Sequence, residues 1–402
     1  MITLDFQSGT ILLQHDRGPE DAPLPEAIAP LCRFDKRVGA WRAMACDYAA
    51  VFAVLYREKL LLEDKARNYQ RLELDFRPGK SMRDYQREAL DAWVNAGRRG
   101  VVVLPTGSGK SFLAQNAIVS ASRSTLVVVP TLDLLAQWAL QLKHALNCEI
   151  GTLGGGSREI RDITVSTYDS AQMQMEHIGS RFGLLIVDEC HHLPGQVYSQ
   201  IAKLSIAPWR LGLTATPERQ DGLHSTYASL LGDICYRREI TDLTGKDVLA
   251  EYETIPIDTE LDPDEQEDYN RFHARYIDFL HRNRINLGTP RGWSFFLQAC
   301  ARQPDGREAL NAYLEQRRIA RASRAKIRQL WELISAHHGD RIIVFTADNA
   351  TAYRIGAAFA LPVITQQTGT AERVAFLDGF RSGDYPVLVT SKVLNEGVDV
   401  PS

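Results

Sequence analysis

The 402-residue chain lacks most features of secreted, membrane and metal-binding proteins. Its six cysteines are scattered and form no C-x-x-C pair, which argues against a disulfide framework, a zinc ribbon and an iron–sulfur cluster. The start, MITLDFQSGT, has no basic region followed by an apolar core. No run approaches the roughly 18 apolar residues of a membrane span. We therefore expect reduced cysteines, no membrane partner and a cytoplasmic location.

The chain also has no excess of positive charge. Its net charge is −4, so contact with a nucleic acid has to come from a local basic patch. Hydrophobic residues make up 45% of the sequence, and repeats and low-complexity tracts are absent. Length and composition together predict a globular chain of two or three domains.

The segment LLIVDECHHLPG, residues 184–195, combines an apolar run with two acids, a cysteine and two histidines. A zinc site is one reading of it. However, His191 and His192 are adjacent and point in different directions on a regular element, whereas zinc ligands are typically spaced at i, i+3 or i+4. The apolar run 184–187 instead predicts a buried parallel strand with Asp188 and Glu189 at its end, where α/β sheets bind ligands.

A second apolar run, residues 101–104, leads into PTGSGKS and then a helical stretch from Lys110. Gly107 and Gly109 let the backbone approach a polyphosphate, Lys110 reaches its terminal phosphates and Ser111 can hold Mg²⁺. The strict phosphate-loop pattern fails because Leu104 stands at its first glycine, and a chance solvated turn is the alternative reading. The loop residues predicted to bind nucleotide are Thr106, Gly107, Ser108, Gly109, Lys110 and Ser111.

With this loop in place, the two acids divide the work of nucleotide hydrolysis. Asp188 can hold Mg²⁺ through water, and Glu189 can polarise the attacking water. The predicted catalytic residues are Glu189, Lys110 and Asp188, the predicted metal ligands are Ser111 and Asp188, and the implied cofactors are ATP and Mg²⁺.

Several segments occur in the order found in superfamily 2 helicases. D-E-x-H resembles the second motif, in which His191 couples nucleotide state to the domain; His192 can equally be a structural histidine. The other segments are RDYQREAL with Arg83 and Gln86, VVVPTLDLLAQW with Thr131, VSTYDSAQ with Thr167, LGLTATPER with Thr214 and Thr216, and YPVLVTSKVLNEGVDVPS with Thr390, Gly397 and Asp399. Together with HHLP and EGVDVP, they make the chain resemble an XPB-type helicase of the compact archaeal and bacterial kind.

The resemblance implies roles for these residues. Gln86 would read adenine through its amide, which offers a paired donor and acceptor. Arg83 would also bind the nucleotide, and Gly397 and Asp399 would lie on the nucleotide side of the cleft. Thr214 and Thr216 would join His191 in coupling. Thr131, Thr167 and Thr390 would hold a DNA backbone without reading bases.

The implied architecture is α/β, with two RecA-like parallel-sheet domains, an N-terminal α/β module and a helical thumb-like insertion. The expected boundaries are 1–75 for a damage-recognition-like module, 76–252 for the first helicase domain, 259–325 for the insertion and 326–402 for the second. DNA contact by the N-terminal module and a plain packing role both remain open. The second domain is expected to be truncated after YPVLVTSKVLNEGVDVPS, which resembles motif V of the family, and to lack the arginine of motif VI that follows it there. Activity of this chain is therefore expected to be low.

The implied function is an ATP-dependent 3′–5′ DNA helicase or translocase acting in nucleotide excision repair. Its partners would be single-stranded, forked or damaged duplex DNA and a repair nuclease. Two alternatives remain: a nucleotide-gated DNA-binding module with little turnover, or another superfamily 2 motor, such as a restriction-type translocase or an RNA helicase.

One departure concerns a family Arg-Glu-Asp element implicated in duplex opening. This chain has Arg219, Gln220 and Asp221 there. Arg219 and Asp221 remain DNA-contact candidates, while the unwinding role of the element is in doubt.

The insertion carries two further predictions. Asp262 followed by Pro263 predicts a helix start, with Asp262 as its cap and Pro263 in the first turn. Arginines in EQRRIARASRAKIRQLWEL are spaced at i, i+4, i+7 and i+11, which predicts a single helical face for phosphate contact, or else a solvated face. These arginines are Arg317, Arg321, Arg324 and Arg328.

Overall fold

Residues 1–16, 24–217, 226–243, 253–289 and 291–391 are described by the computed structural model of the chain. They belong to two compact units, Met1–Glu251 and Tyr252–Ser402.

The first unit begins with a small module built on a five-stranded sheet. Its elements are β1 Ile2–Gln7, β2 Thr10–His15, β3 Cys32–Asp35, β4 Ala40–Met44, α1 Tyr48–Arg57 and β5 Leu61–Asp64. The strand order is β3-β4-β2-β1-β5, antiparallel except between β1 and β5. Helix α1 buries Tyr48, Val51 and Leu55 in the same core as Leu4 and Ile11 of the sheet, so the helix covers one sheet face.

The rest of the first unit is an eight-stranded sheet with helices. Its elements are α2 Asp84–Asn95, β6 Arg99–Val103, α3 Lys110–Ala121, β7 Thr125–Val129, α4 Leu132–Leu146, β8 Gly151–Gly154, β9 Ser157–Glu159, β10 Ile163–Thr167, α5 Tyr168–Ile178, β11 Leu184–Val187, α6 Ser199–Lys203, β12 Trp209–Thr214, α7 Tyr227–Leu230, β13 Ile234–Arg237 and α8 Ile240–Leu243. The order is β13-β6-β12-β11-β7-β10-β8-β9, and every neighbouring pair except β8 with β9 is parallel.

The central strands of this sheet are buried on both faces. Val101 and Val103 of β6 belong to one hydrophobic core, and Val102 belongs to the core on the other face. This is why the sequence there is a continuous apolar run rather than an alternating one. The predicted strand at 184–187 is confirmed, and the strand predicted at 101–104 is confirmed with its end one residue earlier.

The strand order brings three segments to one edge of the sheet. Strands β6, β12 and β11 are neighbours and run parallel, so their carboxyl ends meet. The glycine-rich loop follows β6, Thr214 ends β12, and Asp188 follows β11. Chain segments that are far apart in sequence therefore converge at the edge where α/β sheets bind ligands.

The second unit combines helices with a smaller parallel sheet. Its elements are α9 Pro263–Arg282, α10 Gly292–Arg302, α11 Gly306–Arg321, α12 Arg324–Ala336, β14 Ile342–Thr346, α13 Asn349–Phe359, β15 Val363–Ile364, α14 Thr370–Ser382 and β16 Val387–Ser391. The sheet order is β14-β16-β15, all parallel. Phe279 and Phe296 join α9 and α10 in a core of their own. A parallel α/β sheet in each unit confirms the predicted fold class.

The start of α9 is confirmed at Pro263, with Asp262 at the N-cap position, but the capping role is wrong. The Asp262 side chain makes no cap hydrogen bond. Its two oxygens instead accept from the Arg328 guanidinium at 2.7 and 3.1 Å. A bidentate, charge-assisted pair outcompetes a single backbone N–H for the same carboxylate.

Candidate active site and nucleic-acid contacts

The glycine-rich loop has the backbone of a phosphate cradle. Gly107 and Gly109 have φ of 76° and 81°, a left-handed region that favours glycine. A Cβ added to Gly109 would lie 2.6 Å from Nε2 of Gln86, so no larger residue fits without movement. Lys110 and Ser111 open α3, and N–H groups in the first turn of a helix lack intrahelical acceptors. The loop can therefore present N–H groups and a helix N-terminus to an anion.

Lys110 lies between this loop and the acidic pair. Its ammonium donates to the carbonyls of Leu104 and Pro105 at 3.3 and 3.4 Å, and lies 3.9 Å from Oε1 of Glu189. The strand order thus brings together a lysine and a carboxylate that are far apart in the sequence. Their proximity agrees with the predicted pairing of loop and acids.

Asp188 is buried, and two donors fix its carboxylate. Trp138 Nε1 donates to Oδ2 at 2.9 Å, and the Glu189 N–H donates to Oδ1 at 3.0 Å. Burial and the nearby Glu189 charge raise the pKa of Asp188 to about 6, while Lys110 and the Trp138 hydrogen bond act in the opposite direction. The sequence did not indicate Trp138, because a tryptophan in a helical apolar pattern is typical of the core.

Glu189 has a left-handed backbone, with φ of 46°. Its two oxygens face different partners: Oε1 faces Lys110, and Oε2 lies 3.5 Å from Nδ1 of His191. The His191 Nδ1 also lies 3.0 Å from Oγ1 of Thr214, which accepts from the Thr216 N–H at 3.1 Å. Contacts thus run from the phosphate loop to the end of β12.

Tyr168 supports the acidic turn from behind. Its hydroxyl lies 2.9 Å from the carbonyl of Asp188 and 3.1 Å from that of Glu189, and it donates to these acceptors. The ring of His192 packs edge-on to that of Tyr168, with centroids 6.0 Å apart. Cys190 is buried, and burial raises the pKa of its thiol. Sequence reasoning missed Tyr168 although it lies within VSTYDSAQ, because nothing in that segment shows that its hydroxyl reaches the acidic turn.

Gln86 is buried against the phosphate loop rather than open to solvent. Its Nε2 donates to the Ser108 carbonyl at 2.9 Å, and its Oε1 accepts from the Arg83 N–H at 3.0 Å. In this conformation the donor and the acceptor expected to read adenine are both satisfied within the chain. Ser108 is buried as well, with its hydroxyl donating to the Pro105 carbonyl at 2.7 Å.

The threonines expected to contact DNA have mainly local roles in this conformation. Thr131 and Thr167 are the N-cap residues of α4 and α5, and their hydroxyls accept from Leu134 N–H at 3.2 Å and Ser170 N–H at 3.3 Å. Thr390 is fully buried in β16, and its hydroxyl has no partner among the described residues. In this conformation the Thr390 hydroxyl is not exposed to a DNA backbone, and its contact with DNA stays a prediction.

The prediction that four arginines between residues 317 and 328 share one helical face is wrong. Helix α11 ends at Arg321, and α12 begins at Arg324. Ser323 caps the new helix, since its hydroxyl accepts from the Lys326 N–H at 3.3 Å. A helix break changes the direction of every later side chain, so the four arginines do not share one face.

The arginines after that break are paired with acids. Arg324 contacts Asp262, Asp264 and Glu265, and Arg328 pairs with Asp262. Before the break, Arg321 lies 3.8 Å from Asp348, and Arg317 packs on the ring of Tyr313. Acids at the start of α9, far earlier in the sequence, therefore balance the charges of Arg324 and Arg328.

Four predicted site residues lie outside the described residues: Arg219, Asp221, Gly397 and Asp399. Thr106 is exposed in the glycine-rich loop, and Thr216 is exposed two residues after the end of β12. Across the described part of the chain, no helix is both long enough and apolar enough to cross a bilayer.

Solved structures share this fold. Dbp5 of S. cerevisiae, in structures described as bound to RNA and ADP BeF3, matches with TM-scores of 0.51 and 0.50 at 14% and 13% identity. Each match covers 79% of this chain and 72% of that one. At such identity the likeness concerns the fold alone.

Family models match along most of the chain. Residues 4–66 match the Xeroderma pigmentosum group B helicase damage recognition domain, residues 79–219 the Type III restriction enzyme res subunit, and residues 325–402 the helicase conserved C-terminal domain. The DNA 3′-5′ translocase XPB2 of Sulfurisphaera tokodaii is 39% identical over 94% of this chain and 85% of its own length. The chain belongs to the XPB-type family of superfamily 2 helicases, a class of ATP-dependent DNA helicases.

A second relative is longer than this chain. The DNA 3′-5′ helicase XPB of Mycobacterium tuberculosis is 30% identical over 80% of this chain, and the match covers 53% of that protein. The chain thus spans about half the length of this relative.

Proposed function

We propose that the chain is an ATP-dependent 3′–5′ DNA translocase acting in nucleotide excision repair. The observation that carries the proposal is the line of contacts from Lys110 through Glu189 and His191 to Thr214, with distances of 3.9, 3.5 and 3.0 Å. This line joins a phosphate-binding loop to a strand end whose following loop carries predicted DNA contacts. The names of the related translocase and helicases support the direction and the substrate.

The residues present fit ATP with Mg²⁺. The left-handed glycines leave room for phosphates, the first-turn N–H groups of α3 and the Lys110 ammonium would hold them, and Ser111 and Asp188 would hold Mg²⁺. Mg²⁺, when bound, supplies positive charge to the phosphate oxygens. Glu189 orients the attacking water and receives its proton. The hydrogen bonds from Trp138 Nε1 and the Glu189 N–H keep the Asp188 carboxylate in a fixed direction.

His191 is the residue proposed to transmit the state of this site. Its Nδ1 lies near both a Glu189 oxygen and the Thr214 hydroxyl, so a change in the position of Glu189 alters what the imidazole can bond. Because Thr214 also holds the Thr216 N–H, such a change reaches the loop after β12.

DNA contact is assigned to several parts of the chain. We assign it to the helix N-termini at Thr131 and Thr167, to Arg219 and Asp221, and to Arg317 and Arg321 of α11. The N-terminal module is proposed to recognise damaged or forked DNA, supported by the name of the family model that matches it. A repair nuclease as partner and a cytoplasmic location complete the proposal.

The test is the ATP hydrolysis rate of the chain with single-stranded, forked and duplex DNA, and with RNA. We expect stimulation by DNA and none by RNA. Stimulation by RNA alone would favour an RNA helicase. ATP-dependent DNA affinity without turnover would favour a nucleotide-gated binding module. Stimulation by unmodified duplex without any preference for forks or damage would favour a restriction-type translocase.

A further inference from the structure

A short strap crosses the sheet edge opposite the phosphate loop. It consists of residues 67–70, which follow the N-terminal module and pass the starts of β10 and β11. The Asn68 N–H donates to the Ser180 carbonyl at 3.1 Å. The Gln70 N–H donates to the Ser124 hydroxyl at 3.3 Å, and the Ser124 N–H donates to the Gln70 carbonyl at 3.1 Å. These bonds hold the strap to the sheet edge.

Beneath the strap lies a cavity of about 230 Å³ with an almost entirely polar lining. Three arginines from three separate segments face it: Arg67 of the strap, Arg161 before β10 and Arg181 before β11. Its volume is below the roughly 300–1,000 Å³ of pockets for drug-sized ligands. The cavity therefore suits a small polar group rather than a whole nucleotide.

The charge of this cavity is strongly positive. Asp162, its only lining acid among the described residues, accepts from Gln70 Nε2 at 2.9 Å and from the Ser124 hydroxyl at 3.4 Å, and is not within ion-pair distance of an arginine there. Arg181 has no carboxylate partner among the residues that the structure describes.

The other two arginines are only partly neutralised. Arg161 pairs with Glu159 at 2.8 Å while remaining about half exposed, and Arg67 lies 3.9 Å from Asp64. Behind the strap, Arg123 packs over the Tyr69 ring at 5.6 Å and adds a further positive charge. Cations that line one cavity repel one another, and an anion bound among them would offset that repulsion.

We propose that this cavity binds a phosphate group. Planar guanidinium groups match phosphate oxygens with two parallel hydrogen bonds, and three such groups converge here from fixed segments. The phosphate can come from a nucleic-acid backbone that passes this edge or from a free polyphosphate. The site lies on the opposite edge from the proposed ATP site, so it does not depend on the proposed motor function.

The test compares Arg161→Gln/Arg181→Gln with a matched control, Arg57→Gln/Arg302→Gln, which changes two exposed arginines that do not line the cavity. Tripolyphosphate is titrated by calorimetry into each double variant in a Lys110→Ala background, which weakens phosphate binding at the proposed ATP site. Duplex DNA is titrated into both pairs in the wild-type background at several salt concentrations. Thermal unfolding midpoints confirm that each variant is folded.

Loss of DNA affinity with a smaller salt slope, by about 0.9 for each phosphate contact removed, would identify a nucleic-acid backbone. Weakening of tripolyphosphate binding by about tenfold or more, with DNA binding unchanged, would identify a free polyphosphate. Both titrations matching the control would overturn the proposal. Failure of the wild-type chain to hydrolyse ATP would count against the proposed translocase function. The two binding comparisons would still test the cavity, because neither depends on ATP hydrolysis.

Discussion

Trp138 and Asp188, which are 50 residues apart, are joined by a hydrogen bond of 2.9 Å between Nε1 and Oδ2. Both side chains are buried, with 1% and 6% exposure. Since Asp188 follows β11 and Trp138 belongs to α4, this bond fixes the direction of a proposed magnesium ligand from a helix that carries no proposed catalytic residue of its own.

Replacing Trp138 with Phe should therefore reduce both stability and catalysis. A hydrogen bond to a charged group contributes about 1.5–3 kcal/mol, and the lost donor leaves a buried carboxylate oxygen without its partner. We expect a lower free energy of unfolding in urea and a slower ATP hydrolysis rate.

Trp93→Phe is the matched control for this change. Trp93 is equally buried, and its Nε1 donates to the Arg210 carbonyl at 2.8 Å, remote from the acids. This variant should lose stability while the hydrolysis rate of the folded protein stays unchanged. Equal loss of hydrolysis in the two folded variants would contradict an orienting role for Trp138.

A second prediction concerns coupling. His191→Ala removes the imidazole that lies between Glu189 and Thr214. We expect ATP hydrolysis without DNA to remain within a few fold of wild type, while its stimulation by DNA and the movement along DNA are lost. The measurement is hydrolysis with and without DNA, together with a triplex-displacement assay.

The neighbouring histidine gives the control for coupling. The ring of His192 packs against the rings of Tyr168 and His191, with centroids 6.0 and 4.2 Å away. The contacts from Glu189 to Thr214 run through His191, so His192→Ala should retain stimulation by DNA. Stimulation that survives in His191→Ala, or that disappears equally in both variants, would argue against His191 as the coupling residue.

A third prediction concerns the arginines of α12. The Arg328 guanidinium, first through its hydrogen bonds and then through its charge, lowers the pKa of Asp262. A carboxylate with a lowered folded-state pKa stabilises the fold above its unfolded pKa of about 3.9 and loses that effect as pH falls through the folded value. Arg328→Gln should therefore lower stability at pH 7, and its difference from wild type should shrink below about pH 4.

Unfolding midpoints at pH 7 and pH 3 measure this effect, with Asp262→Asn as the reciprocal control. Because these groups are exposed, high salt should also reduce the difference. The salt slope of DNA binding should be unchanged in Arg328→Gln. A flatter slope would restore Arg328 as a phosphate contact.

The sequence was informative where one local pattern determines one structure. The apolar run before Asp188 is typical of a strand buried on both faces, and the glycines at 107 and 109 supply left-handed backbone, so the loop and its strand could be predicted directly. Roles that depend on partners distant in the sequence could not be predicted. The acids that pair with Arg324 lie about 60 residues earlier, and the break at Ser323 depends on one capping hydroxyl.

The same limit applies to Gln86 and Thr390. A glutamine at a helix start can face a base or a neighbouring loop, and only the packing of α2 on the phosphate loop selects the second in this conformation. Thr390 lies in an apolar run, where alternate side chains point to opposite faces, and its burial depends on the helices that cover the sheet.

The central claim is that Glu189 activates water for ATP hydrolysis while Lys110 holds the phosphates. Its most direct test is ATP hydrolysis and ATP affinity measured side by side for wild type, Glu189→Gln and Lys110→Ala, each with duplex DNA present. We predict that Glu189→Gln binds ATP as wild type does and hydrolyses it at least about a hundredfold more slowly, as expected on losing a general base, whereas Lys110→Ala binds ATP weakly. Hydrolysis by Glu189→Gln at the wild-type rate would contradict the account.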